Sequence, residues 1–183
     1  MDNGASSYLR FLNGDNDAFV EIIRTYKDGL VLFIDTFTKD IHISEEIADE
    51  VFLNLYVKRP KYKEKYSFKT WLYTIGKNLA FNYLKKRQRF SNAPIEDYYY
   101  ISDETDIESE YIKGEQDIIL HQAIQSLNKE YAQVLYLVFF EELTNAETAR
   151  IMKKSQRQIS DLIYRAKNSL RSELERRGRN GQI

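Results

Sequence analysis

Residues 68–89 read FKTWLYTIGKNLAFNYLKKRQR. Phe68, Trp71, Leu72, Ile75 and Leu79 recur at helical spacing, so the stretch predicts a helix with these five on one face. Asn78, Asn82 and Lys85, at i, i+4 and i+7, form a strip beside that face. Lys77, Lys85, Lys86, Arg87 and Arg89 supply positive charge, and Tyr73, Phe81 and Tyr83 set rings among the polar groups. Rings that stack, amides that hydrogen-bond and cations that pair with phosphate are what unpaired nucleic acid needs. The same spacing also suits an amphipathic helix with a solvated basic face and its aromatics in a core.

Upstream of this helix, Lys61, Tyr62, Lys63, Lys65 and Tyr66 alternate cations and rings. A loop that only solubilises has no use for the two tyrosines. Lys58-Arg59-Pro60 ends the preceding helix, and Ser67 is placed to cap the one that follows. That preceding helix is expected to begin at Ser44, with Glu45 and Glu46 in its first turn, and to run to Tyr56 or Val57. Ile47, Val51 and Leu55, with Phe52 beside them, face a core; Glu46, Asp49, Glu50 and Asn54 lie on or near the outside. Residues 6–40 predict two more helices, with Asp15 or Asp17 capping the second.

Charge is strongly segregated along the chain. The overall net of -1 conceals about -7 over residues 1–57, +10 over 58–90, -8 over 91–118 and +4 over 119–183. Two basic segments can follow a polyanion; the acidic one between them is repelled from it or binds a basic surface. From about Ser91 to Glu110 helical periodicity is lost, and Pro94, the triplet Tyr98-Tyr99-Tyr100 and a series of acids stand there, so residues 91–115 are expected to form a linker.

Beyond the linker every pattern is helical. Ile118, Ile119, Ala123, Ile124 and Leu127 mark one helix, and Asn128 caps another that carries Val134, Leu135, Leu137, Val138 and Phe139. Thr144 with Glu147, and Ser155 with Gln158, form two capping boxes that bracket a short helix, a tight turn and a longer helix. That is the anatomy of a helix-turn-helix. Ser155, Gln156, Arg157, Gln158, Ser160 and Asp161 occupy the first turns of the second helix, where base edges would be met. Arg157 suits guanine and Gln158 adenine, while Arg165, Lys167 and Arg171 reach more naturally to phosphates. Lys153-Lys154 stands in the turn, where a left-handed backbone at Lys153 costs about 1 kcal/mol.

The chain has 183 residues, 43% of them hydrophobic, so it is long enough for one or two cores. It has no cysteine and two histidines, which excludes disulfides and makes a zinc site or other metal centre unexpected. No run approaches a membrane span and the first residues do not form a secretory leader, which predicts a cytoplasmic protein. No acid–base pair, nucleophile constellation or glycine-rich phosphate loop is visible, so binding is expected rather than enzyme catalysis, with no cofactor.

In order and spacing, Glu45–Tyr56 (EEIADEVFLNLY), Phe68–Arg89 and Leu143–Arg171 (LTNAETARIMKKSQRQISDLIYRAKNSLR) resemble the extracytoplasmic-function group of bacterial sigma-70 factors. The resemblance implies an all-α fold of two small helical domains. Residues 1–90 would be sigma region 2, 91–115 an acidic linker that threads polymerase channels, and 116–183 sigma region 4 with the helix-turn-helix. It implies core RNA polymerase and promoter DNA as partners, with an anti-sigma factor as regulator. Glu46, Asp49, Glu50 and Asn54 would dock on the polymerase clamp, although Asp49 stands where many members have glutamine. Tyr62, Asn78 and Asn82 would trap a flipped base of the minus-10 element. Lys77, Lys85, Lys86 and Arg87 would hold the neighbouring duplex and phosphates. Ser155, Gln156, Arg157, Gln158, Ser160, Asp161 and Arg165 would read the minus-35 element. A helix-turn-helix regulator acting without polymerase would explain residues 143–171 but not 58–90. A helical adaptor that binds only protein would leave both basic clusters unexplained.

Overall fold

In the computed structural model, residues 3–91 and 115–179 are described, and they are helical with short connections. The chain divides into two compact units, Met1–Tyr100 and Ile101–Ile183. The acidic 91–115 stretch predicted as a linker falls almost wholly outside the described residues. Among the described residues, no helix is long and apolar enough to cross a membrane, and no group of three His, Cys, Asp or Glu is placed to hold a metal.

The first unit contains α1 (Asn3–Leu12), α2 (Asn16–Thr38), α3 (Ile41–Lys58) and α4 (Phe68–Ser91). Asp15 caps α2 by accepting the Ala18 N–H at 3.2 Å. α3 begins three residues before the expected Ser44, because Asp40 is extended and accepts the Ile43 N–H at 3.2 Å. Ser44 is instead buried, its hydroxyl paired with Thr38 Oγ1 at 2.6 Å and with the Asp40 carbonyl at 2.8 Å. Arg59 ends α3 in the left-handed region, at φ 43°. Ser67 caps α4 through the Thr70 N–H at 3.3 Å.

The core of this unit is built from Tyr8, Phe11, Phe19, Ile22, Leu30, Phe33, Ile34, Val51, Leu55, Phe68, Leu72 and Tyr73. α4 is rotated relative to the sequence expectation. Phe68 and Leu72 are buried as expected, but Trp71, Ile75 and Leu79 are only half-buried. The buried stripe passes instead through Leu72, Tyr73, Gly76 and Ala80. Gly76 permits this, since a Cβ there would lie 2.8 Å from Leu30 Cδ1. Tyr73 is therefore a core ring, 5.3 Å from Phe33, and not one of the rings among the polar groups.

The second unit contains α5 (Glu115–Gln125), α6 (Lys129–Leu135), a π-helical turn (Tyr136–Phe140), α7 (Asn145–Met152) and α8 (Gln156–Arg179). Asn128 caps α6 by accepting the Tyr131 N–H at 3.0 Å. The π turn swings Phe139 and Phe140 outward, so both rings are exposed. Lys167 Nζ sits 4.6 Å from the Phe139 ring centroid, and Phe140 stacks on Tyr136 at 5.0 Å. Arg177 of α8 donates to the Gln122 carbonyl at 3.3 Å, a second bond to an oxygen that also accepts the Ser126 N–H at 3.1 Å, and so ties α8 to the end of α5.

Candidate nucleic-acid and protein interfaces

In the first unit the polar strip of α4 is open to solvent. Asn78, Asn82, Lys85, Lys86 and Arg89 are all exposed. At about 100° per residue, Asn78, Asn82 and Arg89 lie within about 20° of the line through Trp71. One stripe thus runs from a half-buried indole through two amides to a cluster of cations. Phe81, 58% exposed, stands beside it, and is the aromatic of this helix that most clearly faces water. Lys77 and Arg87 are half-buried and lie off the stripe, with Arg87 on roughly the opposite side of the helix. Tyr62 stands at the Trp71 end. Its ring packs 5.3 Å from Trp71 and 5.7 Å from Phe68, and its hydroxyl donates to the Tyr66 carbonyl. Tyr62 and Trp71 thus offer stacking surface at one end of the stripe, and Asn78 and Asn82 offer exposed amide donors and acceptors further along it, which is chemistry suited to an unpaired strand.

The outer face of α3 differs in character. Glu46, Asp49 and Glu50 are exposed and Asn54 is half-buried. Asp49 Oδ1 lies 3.1 Å from Lys27 Nζ. Between and after the acids, Leu53 is 61% and Val57 67% exposed, with Tyr56 also open. Sequence reasoning singled out the acids but missed Leu53 and Val57. Their positions, four and eight residues after Asp49 on the same face, were the available signal.

In the second unit both capping boxes form. Thr144 Oγ1 accepts the Glu147 N–H at 3.3 Å, while Glu147 Oε2 accepts the Thr144 N–H at 3.0 Å. Ser155 Oγ accepts the Gln158 N–H at 3.2 Å, and Gln158 Oε1 accepts the Ser155 N–H at 2.8 Å. Gln158 is thus engaged in its own cap; reading adenine with both amide atoms would require it to release Ser155. The turn closes with Lys153 left-handed at φ 55° and the Lys154 N–H donating to the Ala149 carbonyl at 3.0 Å. Lys154 Nζ also pairs with Glu130 Oε1 at 2.7 Å, tying the turn to α6. Asn145 donates to Ser160 Oγ at 3.2 Å, linking the two helices of the motif.

Ile159, Leu162 and Ala166 are buried, which turns the opposite face of α8 outward. Gln156, Arg157, Ser160, Asp161 and Arg165 are exposed on it, as is Ser155 just before it. Tyr164, 70% exposed, sits near the middle of this face and was overlooked in the sequence. Its offset from Leu162 and Ala166 on the helical wheel marks it as outward-facing.

Comparison with known proteins bears on these surfaces. Residues 22–90 match the Sigma-70 region 2 family model, and residues 117–170 match Sigma-70, region 4. The two matches follow in order and together span most of the chain. The chain belongs to the sigma-70 family. The ECF RNA polymerase sigma factor SigW of Bacillus subtilis is 26% identical over 170 residues, covering 88% of this chain and 91% of that protein. The RNA polymerase sigma-H factor of Pseudomonas aeruginosa is 28% identical over 175 residues, covering 91% of each. Relatives of this kind place this sigma-70 family member in the extracytoplasmic-function group. The fold is similar to that of the sigma factor RpoE solved with the anti-sigma factor NepR from Bartonella quintana. That match has TM-score 0.70 at 18% identity, covering 86% of this chain and 96% of that one. It is also similar to CnrH solved with the cytosolic domain of CnrY, with TM-score 0.67 at 14% identity, covering 95% and 98%. The α4 stripe lies in the region 2 match and the helix-turn-helix in the region 4 match.

Proposed function

We propose that this protein is an alternative sigma factor that binds core RNA polymerase, recognises minus-35 and minus-10 promoter elements and promotes strand opening. It contributes specificity and no catalysis of its own, and acts in the cytoplasm beside the polymerase. The observation that carries the reading is the joint presence of two surfaces whose chemistry suits nucleic acid. One is an exposed amide, ring and cation stripe suited to unpaired DNA. The other is a doubly capped helix-turn-helix suited to duplex. A regulator working without polymerase accounts for the second and leaves the first idle.

In this reading residues 1–90 serve polymerase and minus-10 binding and residues 116–183 minus-35 binding. Glu46, Asp49, Glu50 and Asn54 meet the polymerase, helped by exposed Leu53 and Val57, which add apolar area to an otherwise weak charged contact. Tyr62, Asn78 and Asn82 receive the flipped base, and Lys85 and Lys86 take the phosphates beside it. Unstacking a base costs a few kcal/mol; stacking, at about 1–3 kcal/mol per base, offsets that once amide hydrogen bonds are added. Arg157, Ser160, Asp161, Tyr164 and Arg165 face the minus-35 duplex. An anti-sigma protein is a fitting regulator, since both structural relatives were solved with such partners or with a partner's cytosolic domain.

Size-exclusion chromatography with sigma-free core polymerase from the same organism tests the proposal. Co-elution that is lost when Asp49 and Glu50 are both changed to lysine is expected. Separate elution of the unmodified protein from active core would return the helix-turn-helix regulator to first place.

A further inference from the structure

The loop from Arg59 to Ser67 joins α3 to α4 and brings Tyr62 to the end of the α4 stripe. Its exposed residues include Lys61, Lys63, Glu64 and Lys65. A loop this polar would ordinarily order only when ligand binds, at a cost in affinity. Here it is held from outside. The Tyr8 hydroxyl donates to the Pro60 carbonyl at 2.7 Å, across 52 residues of sequence. The fully buried Tyr8 ring lies 5.4 Å from both Phe68 and Trp71, the two rings on which Tyr62 also rests. The Arg59 guanidinium lies 4.7 Å from the Phe11 ring centroid. All these outside contacts come from α1.

α1 is seated tightly enough to act as an anchor. A Cβ on Gly4 would meet Tyr26 Oη at 2.3 Å and Phe68 Cδ1 at 2.6 Å, so the helix backbone rests directly on α2 and α4. α1 also lies outside residues 22–90, the part of this unit that matches the family model. Burial pushes the Tyr8 hydroxyl up to about 12, against the opposing pull of Arg59, so it stays a proton donor throughout the physiological range.

We propose that α1 positions the base-capturing loop, with Tyr8 as the positioning residue. Its hydroxyl fixes the Pro60 carbonyl, and its ring backs the Phe68–Trp71 pair beneath Tyr62. This rests on the reading of Tyr62, Asn78 and Asn82 as the minus-10 base site. By ordering the loop before DNA arrives, α1 converts an entropic loss on binding into discrimination at one base.

The test uses holoenzyme assembled from the full chain and core polymerase of the same organism, with DNA selected from a random-sequence library. Wild type, Tyr8→Phe and, as a control elsewhere on α1, Ser7→Ala are compared. Ser7 donates to Glu21 of α2 at 2.9 Å and takes no part in the loop contacts named above. Tyr8→Phe keeps the ring and should retain core binding and the upstream, duplex-read motif. Discrimination at the downstream, unpaired base should fall about 5- to 10-fold, the equivalent of one hydrogen bond. Trp71, the chain's single tryptophan, should become more accessible to acrylamide quenching. Ser7→Ala should match wild type in every measurement. Unchanged downstream discrimination in Tyr8→Phe would overturn the proposal. So would an equal loss of both motifs and of core binding, since that marks a general structural role. Failure of the wild-type holoenzyme to select any downstream motif, while it still selects the upstream one, would instead sink the base-site reading and this proposal with it.

Discussion

Two residues of the helix-turn-helix sit in conformations or surroundings that work against their chemistry. Lys153 adopts φ 55° at the C-terminus of α7, a position where a side chain costs about 1 kcal/mol relative to glycine. Lys153→Gly should therefore raise the stability of the second unit by about 0.5 kcal/mol, after glycine's greater freedom in the unfolded chain is subtracted. Denaturant melts read out by helix content would show a higher midpoint; a lower one would mean that Lys153 makes a compensating contact. Thr148 is fully buried, and its hydroxyl has no hydrogen-bond partner among the described residues. Leaving such a group unpaired costs about 1–3 kcal/mol, so the isosteric Thr148→Val should stabilise by about 1 kcal/mol in the same measurement. Neither residue's situation was fully legible in sequence. The left-handed turn at Lys153 followed from the spacing of the capping boxes, but the isolation of Thr148 depends on which neighbours the fold brings near.

Elements are held to one another by a few polar ties at their ends. In the second unit Glu173 gathers two cations of its own helix α8, Arg176 at 2.7 Å and Arg177 at 2.8 Å, and Arg177 in turn donates to the Gln122 carbonyl of α5. Arg176 above all, then Arg177 and the Ser126 hydroxyl, hold its carboxyl down at about 2, below an ordinary value near 4.5. A carboxyl with a depressed folded-state value stabilises above its unfolded value and loses that contribution as pH falls towards the folded one. The second unit should thus lose stability between about pH 4.5 and 2, by about 1 kcal/mol after allowance for solvent screening. Glu173→Gln should be less stable at neutral pH and show a shallower decline over that window, as followed by thermal melts at stepped pH. The helices themselves were largely visible in the sequence, because Asp15, Ser67, Asn128, Thr144 and Ser155 cap where short polar side chains were expected to cap. The start of α3 was misread. Asp40 competes with Ser44 for the cap, and only the pairing of Ser44 with Thr38 removes it from contention.

At the scale of the molecule, charge and surface should divide the work between the two units. Tyr164→Ala and Arg157→Ala should each weaken holoenzyme binding to minus-35 duplex, by about 1–2 kcal/mol, while co-elution with core polymerase is unchanged. Lys85→Ala and Lys86→Ala should instead each lower the salt slope of promoter binding by about one, with little change in sequence preference. Filter binding across a salt series separates the two outcomes; a sequence-specific loss from the lysines would show them reading bases. The sequence by itself determined the all-α class, most of the helix caps, the helix-turn-helix and the charge segregation, because each depends on residues a few positions apart. Periodicity also located the exposed amides Asn78 and Asn82. Only the tertiary structure decided which rings serve the core and which face solvent. Tyr73 and Phe81 both follow helical spacing, yet close packing at Gly76 turns Tyr73 inward and leaves Phe81 in water. The same holds for Leu53, Val57 and Tyr164 on outward faces and for the anchoring of Pro60 by Tyr8. A helical pattern shows that a residue lies on some face, whereas the neighbours that cover that face come from distant parts of the chain.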